Sequence, residues 1–287
     1  MISPRGSGVS GYEDAAESEL DWWVNPGPEP FAAATAPIWD HEYIPASRNI
    51  GDTFMDIMAF PENSDNPIVY VVMAGISSQE LVVLYASDWT RSSNINSQII
   101  ATSSNNGGAF ASVQFTDLNG DGIPDILATM SSVNRNSPAV VAYPGYVNSG
   151  SQQWFASTNK NTLYTGFPSF ESYGMSSPGQ ARSFYYSVSD ENNSNKLPSI
   201  LISGHDDGYL YVLDPIYQDD PTQFSFNYDN SVIFRTEAFN PFWTANNAPT
   251  VGIPEVLDLD GDGCYEVVLP SAGTNAIYFL DSPVGKC

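Results

Sequence analysis

The chain has 287 residues, 42% of them hydrophobic and 13% aromatic, enough for one large β-rich domain or two ordinary ones. Its 9 Lys and Arg stand against 33 Asp and Glu, and the formal charge of −24 repels phosphate backbones, which argues against a nucleic-acid partner. No apolar run approaches the ~18 residues of a membrane span, so no span is expected.

Residues 1–30 are acidic and rich in Gly, Pro and Ala apart from Trp22-Trp23, and read as a partly disordered N-terminal segment. Met1-Ile2-Ser3-Pro4-Arg5 is not followed by the apolar core of a signal peptide. Few Lys and many Ser, Asn and Gly nevertheless suit an extracellular protein. The chain is therefore expected to be a processed or partial form of a secreted or cell-surface protein.

Residues 31–287 read as the folded domain. Ile38 to Ile44 is strand-like but belongs to no repeat, and Asp40-His41-Glu42 within it reads as a solvated, carboxylate-flanked histidine. After it, one order of strands recurs four times at intervals of roughly 60–70 residues. The repeats span about 49–105, 106–176, 177–246 and 247–287. The first places strands at Ile50–Phe54, Ile68–Val72, Leu81–Tyr85 and Gln98–Thr102. The second places them at Ala109–Val113, after Asp125, at Val140–Tyr143 and at Thr162–Thr165. The third has Ala181–Tyr185, Ile200–Ile202, Leu210–Leu213 and Ser231–Arg235. The fourth has Thr250–Ile253, Val267–Leu269 and Ile277–Leu280, and stops after its third strand.

Four antiparallel strands per repeat is the unit of a β-propeller blade, and no helical periodicity competes with it. The expected fold is all-β, a propeller with four recognisable four-stranded blades. Residues 36–44 have two readings. They supply the missing outer strand of the fourth blade beside Ala276–Leu280, or they are the tail of another blade in a larger ring.

Between the first two strands of repeat two lies Asp117-Leu118-Asn119-Gly120-Asp121-Gly122-Ile123-Pro124-Asp125. Oxygen-bearing side chains at alternate positions of a tightly turned backbone converge on one point, and a Gly at the sixth position allows the turn. Ca²⁺ favours such all-oxygen sites. The expected ligands are Asp117, Asn119, Asp121, the carbonyl of Ile123, and Asp125. An EF-hand would carry a Glu at the twelfth position, where Ala128 stands here, and would have helical flanks. The spacing returns in Asp258-Leu259-Asp260-Gly261-Asp262-Gly263-Cys264-Tyr265-Glu266. Its ligands would be Asp258, Asp260, Asp262, the carbonyl of Cys264, and Glu266. Two structural Ca²⁺ ions are expected.

These loops and their strands resemble the FG-GAP/VCBS repeat family, the integrin-α-type β-propellers, whose pattern runs through D-x-[DN]-x-D-G-x-x-D into an apolar strand. The resemblance covers about residues 49–282. Asp117–Asp125 fills the motif, and Asp258–Glu266 departs only by its terminal Glu. Pro61–Pro67 and Ser189–Asn195, at the same place in repeats one and three, have lost the ligand spacing. The resemblance implies an adhesion receptor, a lectin or a propeller attached to an enzyme, since fold does not set function.

Other residues carry weaker signals. His205-Asp206-Asp207-Gly208 is read as a hairpin turn. Arg182 either meets an anionic sugar or pairs with a neighbouring carboxylate. Trp154, Phe242 and Trp243 lie among the aromatics between repeats, where they contact a ligand or pack one blade on the next. Asn192-Asn193-Ser194 is a glycosylation sequon. Cys264 and Cys287 either pair with each other or Cys287 leads elsewhere. With no recognisable nucleophile signature, the expected role is a binding or structural module whose partners are glycan or extracellular protein. An enzymatic propeller, such as part of a polysaccharide lyase, and a self-assembling filament or surface-layer subunit are the alternatives.

Overall fold

The computed structural model describes residues 2–5, 19–24, 40–44, 54–62, 64–75, 80–89, 94–102, 109–131, 139–147, 153–155, 160–167, 178–193, 196–204, 208–217, 226–235, 251–271 and 274–281. The described structure is all-β, apart from one short helix, and is built from antiparallel sheets.

The first four-stranded sheet takes β4 (Phe54–Phe60), β5 (Ile68–Ala74), β6 (Leu81–Ala86) and β7 (Asn96–Ala101) in chain order. The second takes β8 (Ala109–Thr116), β9 (Asp125–Ser131), β10 (Ala139–Tyr143) and β13 (Asn161–Tyr164). Between its last two strands a small hairpin is inserted, β11 (Gly145–Val147) with β12 (Gln153–Phe155). The third sheet takes β14 (Ala181–Phe184), β15 (Ser199–Ser203), β16 (Tyr209–Pro215) and β17 (Tyr228–Arg235). The last has three strands, β18 (Glu255–Leu257), β19 (Glu266–Ser271) and β20 (Ala276–Leu280). The expected strand sets therefore stand, with two shifts. The first strand of repeat one is Phe54–Phe60, paired in full with β5 and ended by Pro61. The first strand of the last sheet begins at Glu255, because Pro254 has no amide for the ladder; Val251 makes only an isolated bridge to Ser271.

The N-terminal strand does not close the last sheet. β3 (Asp40–Ile44) instead pairs with β2 (Glu19–Val24), which pairs with β1 (Ile2–Arg5), in a separate three-stranded sheet. Two of its strands lie within the segment expected to be acidic and loosely ordered. A strand pairs more readily with its chain neighbour than with one more than 200 residues away, since the closing loop is short.

Strand alternation explains how the sheets stack. Along β5, Tyr70, Val72 and Ala74 enter a cluster with Phe110, Ile126, Ala128 and Met130 of the second sheet, while Val71 and Met73 face the opposite side. Along β9, Ile126 and Ala128 face the first sheet, and Leu127 packs with Ile200, Ile202 and Leu213 of the third. Along β15, Ile200 and Ile202 face the second sheet, and Leu201 packs with Val251, Val267 and Leu269 of the last. Successive side chains point to opposite faces, so a central strand can be apolar throughout only if both faces are covered. Each fully buried Leu or Ile contributes about 1.5–3 kcal/mol of transfer free energy.

The first strands of successive sheets also meet. The Asp56 carboxylate accepts the Phe115 amide at 2.8 Å, and the Gln114 side-chain oxygen accepts the Ser183 amide at 2.8 Å. At the third junction Arg182 pairs with Glu255 at 2.9 Å. At the last strand of the first sheet, Gln98 of β7 donates to the Phe155 carbonyl at 2.9 Å, fastening the inserted hairpin to that sheet.

Candidate metal centres

Both acidic loops join the first strand of a sheet to its second, β8 to β9 and β18 to β19, so they leave the sheets at the same end. Their backbones follow one pattern. In the first, Asp117 accepts the amides of Gly120 at 2.7 Å and Gly122 at 2.8 Å. In the second, Asp258 accepts those of Gly261 at 2.7 Å and Gly263 at 3.1 Å. The third-position oxygens of Asn119 and Asp260 accept the amides of Asp121 and Asp262 at 3.0 and 3.1 Å. The fifth-position carboxylates of Asp121 and Asp262 accept the amides of Ile123 and Cys264, each at 2.8 Å. Such bonds fix each side chain against the backbone of its own loop. Gly122 at φ 78° and Gly263 at φ 90° turn the chain in the left-handed region, where a β-carbon would be strained.

The ninth-position residue returns to the start of the loop. Asp125 accepts the Leu118 amide at 2.9 Å, and Glu266 accepts the Leu259 amide at 2.7 Å. The longer Glu thus makes the same contact as Asp. Asp125 is fully buried and also accepts the Gly145 amide at 2.9 Å. Burial pushes its carboxyl up to about 7; the two amides oppose this, while the charges of Asp121 and Asp117 add to it. Burial likewise raises Asp117, against the Gly122 and Gly120 amides.

Among the described residues, the donors of the second loop are gathered closely enough that they could hold a hard divalent cation. Carboxylate oxygens of Asp258, Asp260 and Asp262 lie within 4.8 Å of one another. Oxygens on opposite sides of a Ca²⁺ at 2.3–2.6 Å would be about 4.6–5.2 Å apart. In the first loop the third position is Asn119, whose amide nitrogen donates to Asp121 at 3.0 Å, so two expected ligands sit side by side.

Each loop is braced by the third sheet. The hydroxyl of partly buried Tyr228 donates to the Leu118 carbonyl at 3.2 Å. Leu118 itself is buried against that sheet. The second loop docks on the connection between β14 and β15. The Val188 amide donates to the Gly263 carbonyl at 3.0 Å, and the Tyr265 amide to the Tyr186 carbonyl at 2.9 Å. Cys264 is disulfide-bonded; the chain's other cysteine, Cys287, lies outside the described residues. None of these braces has a local sequence signal, because every partner lies in a different sheet or beyond a strand.

The remaining expected residues are dispersed. Arg182 of β14 is half of the ion pair with Glu255, three residues before the second loop, and belongs to neither ligand set. Trp154 sits in β12, opposite Tyr146. Phe242, Trp243 and His205 lie outside the described residues, as does Ser194 of the sequon. Asn192 is exposed at the end of α1 (Val188–Glu191), where its side-chain amide donates to the Val188 carbonyl at 2.8 Å. Compared with known proteins, the chain matches no protein-family model and no curated protein. Among the described residues no helix is long and apolar enough to cross a membrane.

Proposed function

We propose that this chain is an extracellular, calcium-binding β-propeller of FG-GAP/VCBS type that serves as a carbohydrate- or protein-binding or structural module. The observation that carries the reading is the duplicated loop. Two D-x-[DN]-x-D-G segments, 141 positions apart, hold the same carboxylate-to-amide bonds at the same end of two sheets. Serial stacking of sheets in chain order, with first strands side by side, supports the propeller arrangement.

Asp117, Asn119, Asp121 and Asp125 would hold one ion, and Asp258, Asp260, Asp262 and Glu266 the other. The seventh-position carbonyls of Ile123 and Cys264 complete the two sets. Bound Ca²⁺ would supply positive charge that offsets the clustered carboxylates and keeps each loop closed. Backbone groups of Leu118, Gly263 and Tyr265 within or beside the loops bond the third sheet and its β14–β15 connection, so the ions would act on the spacing of the sheets.

The contrast with an enzyme is testable. A glycan array and a turnover assay on pectic substrates are run on the parent, on a His41→Asn/His205→Asn double variant and on Trp243→Ala. A module should bind in the parent and the histidine variant, lose binding with Trp243→Ala, and show no turnover. Turnover by the parent that vanishes with the histidines would make the chain an enzyme.

One observation favours a second reading, self-assembly. Leu118 at the second position of the first loop is buried by the next sheet, but its counterpart Leu259 is 47% exposed. On the same last sheet Ile277 and Phe279 are each 62% exposed. An apolar sheet face of this kind marks an interaction surface. Sedimentation of the parent against Phe279→Ser distinguishes a stacked assembly, which the substitution would dissociate, from a monomer.

A further inference from the structure

We propose that a cleft at the β14–β15 connection binds a neutral, polyhydroxylated ring the size of one monosaccharide. The proposal rests on the reading of the chain as an extracellular binding module and gives that module a contact distinct from Trp243, in the connection that also carries the Asn192 sequon.

The cleft has a volume of about 170 Å³ and lies where β14 ends, β15 begins and β16 ends. That is below the ~300–1,000 Å³ of sites for drug-sized ligands. At ~30 Å³ per water it has room for about six waters, or one small ring. Tyr185, Tyr186 and Tyr217 contribute to its walls. Tyr217 is 53% exposed, yet its edge is braced, because its hydroxyl accepts the Leu197 amide at 3.2 Å. A held aromatic ring with open surface offers the apolar C–H face of a sugar a platform at little entropic cost.

The polar groups select the charge of the ligand. Asp214 receives the hydroxyls of Tyr186 at 2.9 Å and Ser199 at 2.7 Å through one oxygen. Across the cleft Lys196 pairs with Asp190 at 3.6 Å and stands 6.0 Å from the centre of the Tyr217 ring. An anion would meet two lining carboxylates in a chain of charge −24. An organic cation would compete with the Lys196 ammonium that already lies over Tyr217. A neutral ring meets no charge repulsion from either sign and stacks on the part of Tyr217 that Lys196 leaves open, while its hydroxyls find the Lys196 ammonium as donor beside the Asp190 carboxylate as acceptor.

The cleft is also tied to both metal loops. Its Tyr186 carbonyl and the Val188 amide bond the second loop. Tyr228 links the Leu118 carbonyl of the first loop to the Pro198 carbonyl, at 3.2 and 3.4 Å. Tyr186, Val188 and Pro198 are thus held between the two loops, and closure of either loop positions the cleft walls.

Ligand-detected NMR on the full chain tests this with methyl glucoside, methyl galactoside and methyl mannoside as neutral probes. Galacturonate and tetramethylammonium serve as charged ones. At least one neutral glycoside should bind with a Kd of about 1 mM, as expected for a ligand of so few atoms. Tyr217→Ala should weaken it at least tenfold and Lys196→Gln several-fold, with the exposed hairpin variant Tyr146→Ala unchanged. EDTA should weaken it as well. The proposal is overturned if no neutral glycoside binds at about 50 mM, or if Tyr217→Ala binds like the parent. Tighter binding of galacturonate or tetramethylammonium would also overturn it. A glycoside bound equally by parent and Tyr217→Ala would remove the cleft and leave the binding-module reading intact. That reading falls separately, if the parent turns over pectic substrate.

Discussion

The carboxylate of Asp125 accepts the amide of Gly145 at 2.9 Å, tying the first acidic loop to the chain just after β10. Its other oxygen takes the Leu118 amide, so one buried side chain closes the loop and pins it to its own sheet. Replacing it by Ala strands two buried amides, each at a cost of about 1–3 kcal/mol. Urea denaturation should show Asp125→Ala destabilised by about 2–5 kcal/mol. Glu266→Ala, in a more exposed loop, should cost about 1 kcal/mol. The reverse order would show that burial does not set the difference.

The same carboxyl makes stability depend on pH. Its folded-state pKa is pushed up to about 7, first by burial, whereas an unfolded Asp titrates near 3.9. The folded chain therefore holds the proton more tightly, and this contribution to stability is complete below about pH 4 and lost as pH rises through about 7. In EDTA the melting temperature should fall between pH 5 and pH 7.5, and Asp125→Asn should flatten that fall. Calcium competes with the proton and should raise the melting temperature most at the upper end. An EDTA curve that climbs over this range would contradict the assignment.

Calorimetry should count two calcium ions per parent chain and one each in Asp121→Ala and Asp262→Ala. The site left in Asp121→Ala should be the tighter. It has four carboxylates, Asp258, Asp260, Asp262 and Glu266, where the other has Asp117, Asp121 and Asp125 with neutral Asn119. Equal or inverted affinities would show that the burial of Asp125 outweighs the charge count.

Two apolar residues in neighbouring sheets should behave oppositely. Leu201 is fully buried among Val251, Val267 and Leu269, and Leu201→Ala should cost about 2–5 kcal/mol. Ile277 is 62% exposed, and Ile277→Ser should change monomer stability by no more than about 0.5 kcal/mol. Denaturant midpoints at low protein concentration measure both.

Local chemistry made much of this legible in the sequence. Apolar runs such as Ile68–Val72 and Leu210–Leu213 lie within β5 and β16. The alternating oxygens of Asp117–Asp125 and Asp258–Glu266 marked both acidic loops, because the residues that shape each turn lie within it. The break at Pro254 shows a limit even there: Thr250–Ile253 reads as the strand from its residue types, but backbone donors decide where the ladder begins.

What lay beyond the sequence was partnership. Residues 36–44 were strand-like from composition alone, yet nothing local distinguished β20 from β2 as the neighbour, and the structure pairs β3 with β2. The Gly145 amide on Asp125, the Tyr228 hydroxyl on Leu118 and the Gly263 carbonyl facing Val188 are likewise encounters between distant segments. A side chain's type and its spacing from near neighbours follow from the order of residues, since covalent geometry sets them. Which distant backbone group it meets depends on how whole sheets stack, through two-sided burial of strands such as β9 and β15, and that is settled only when the chain has folded.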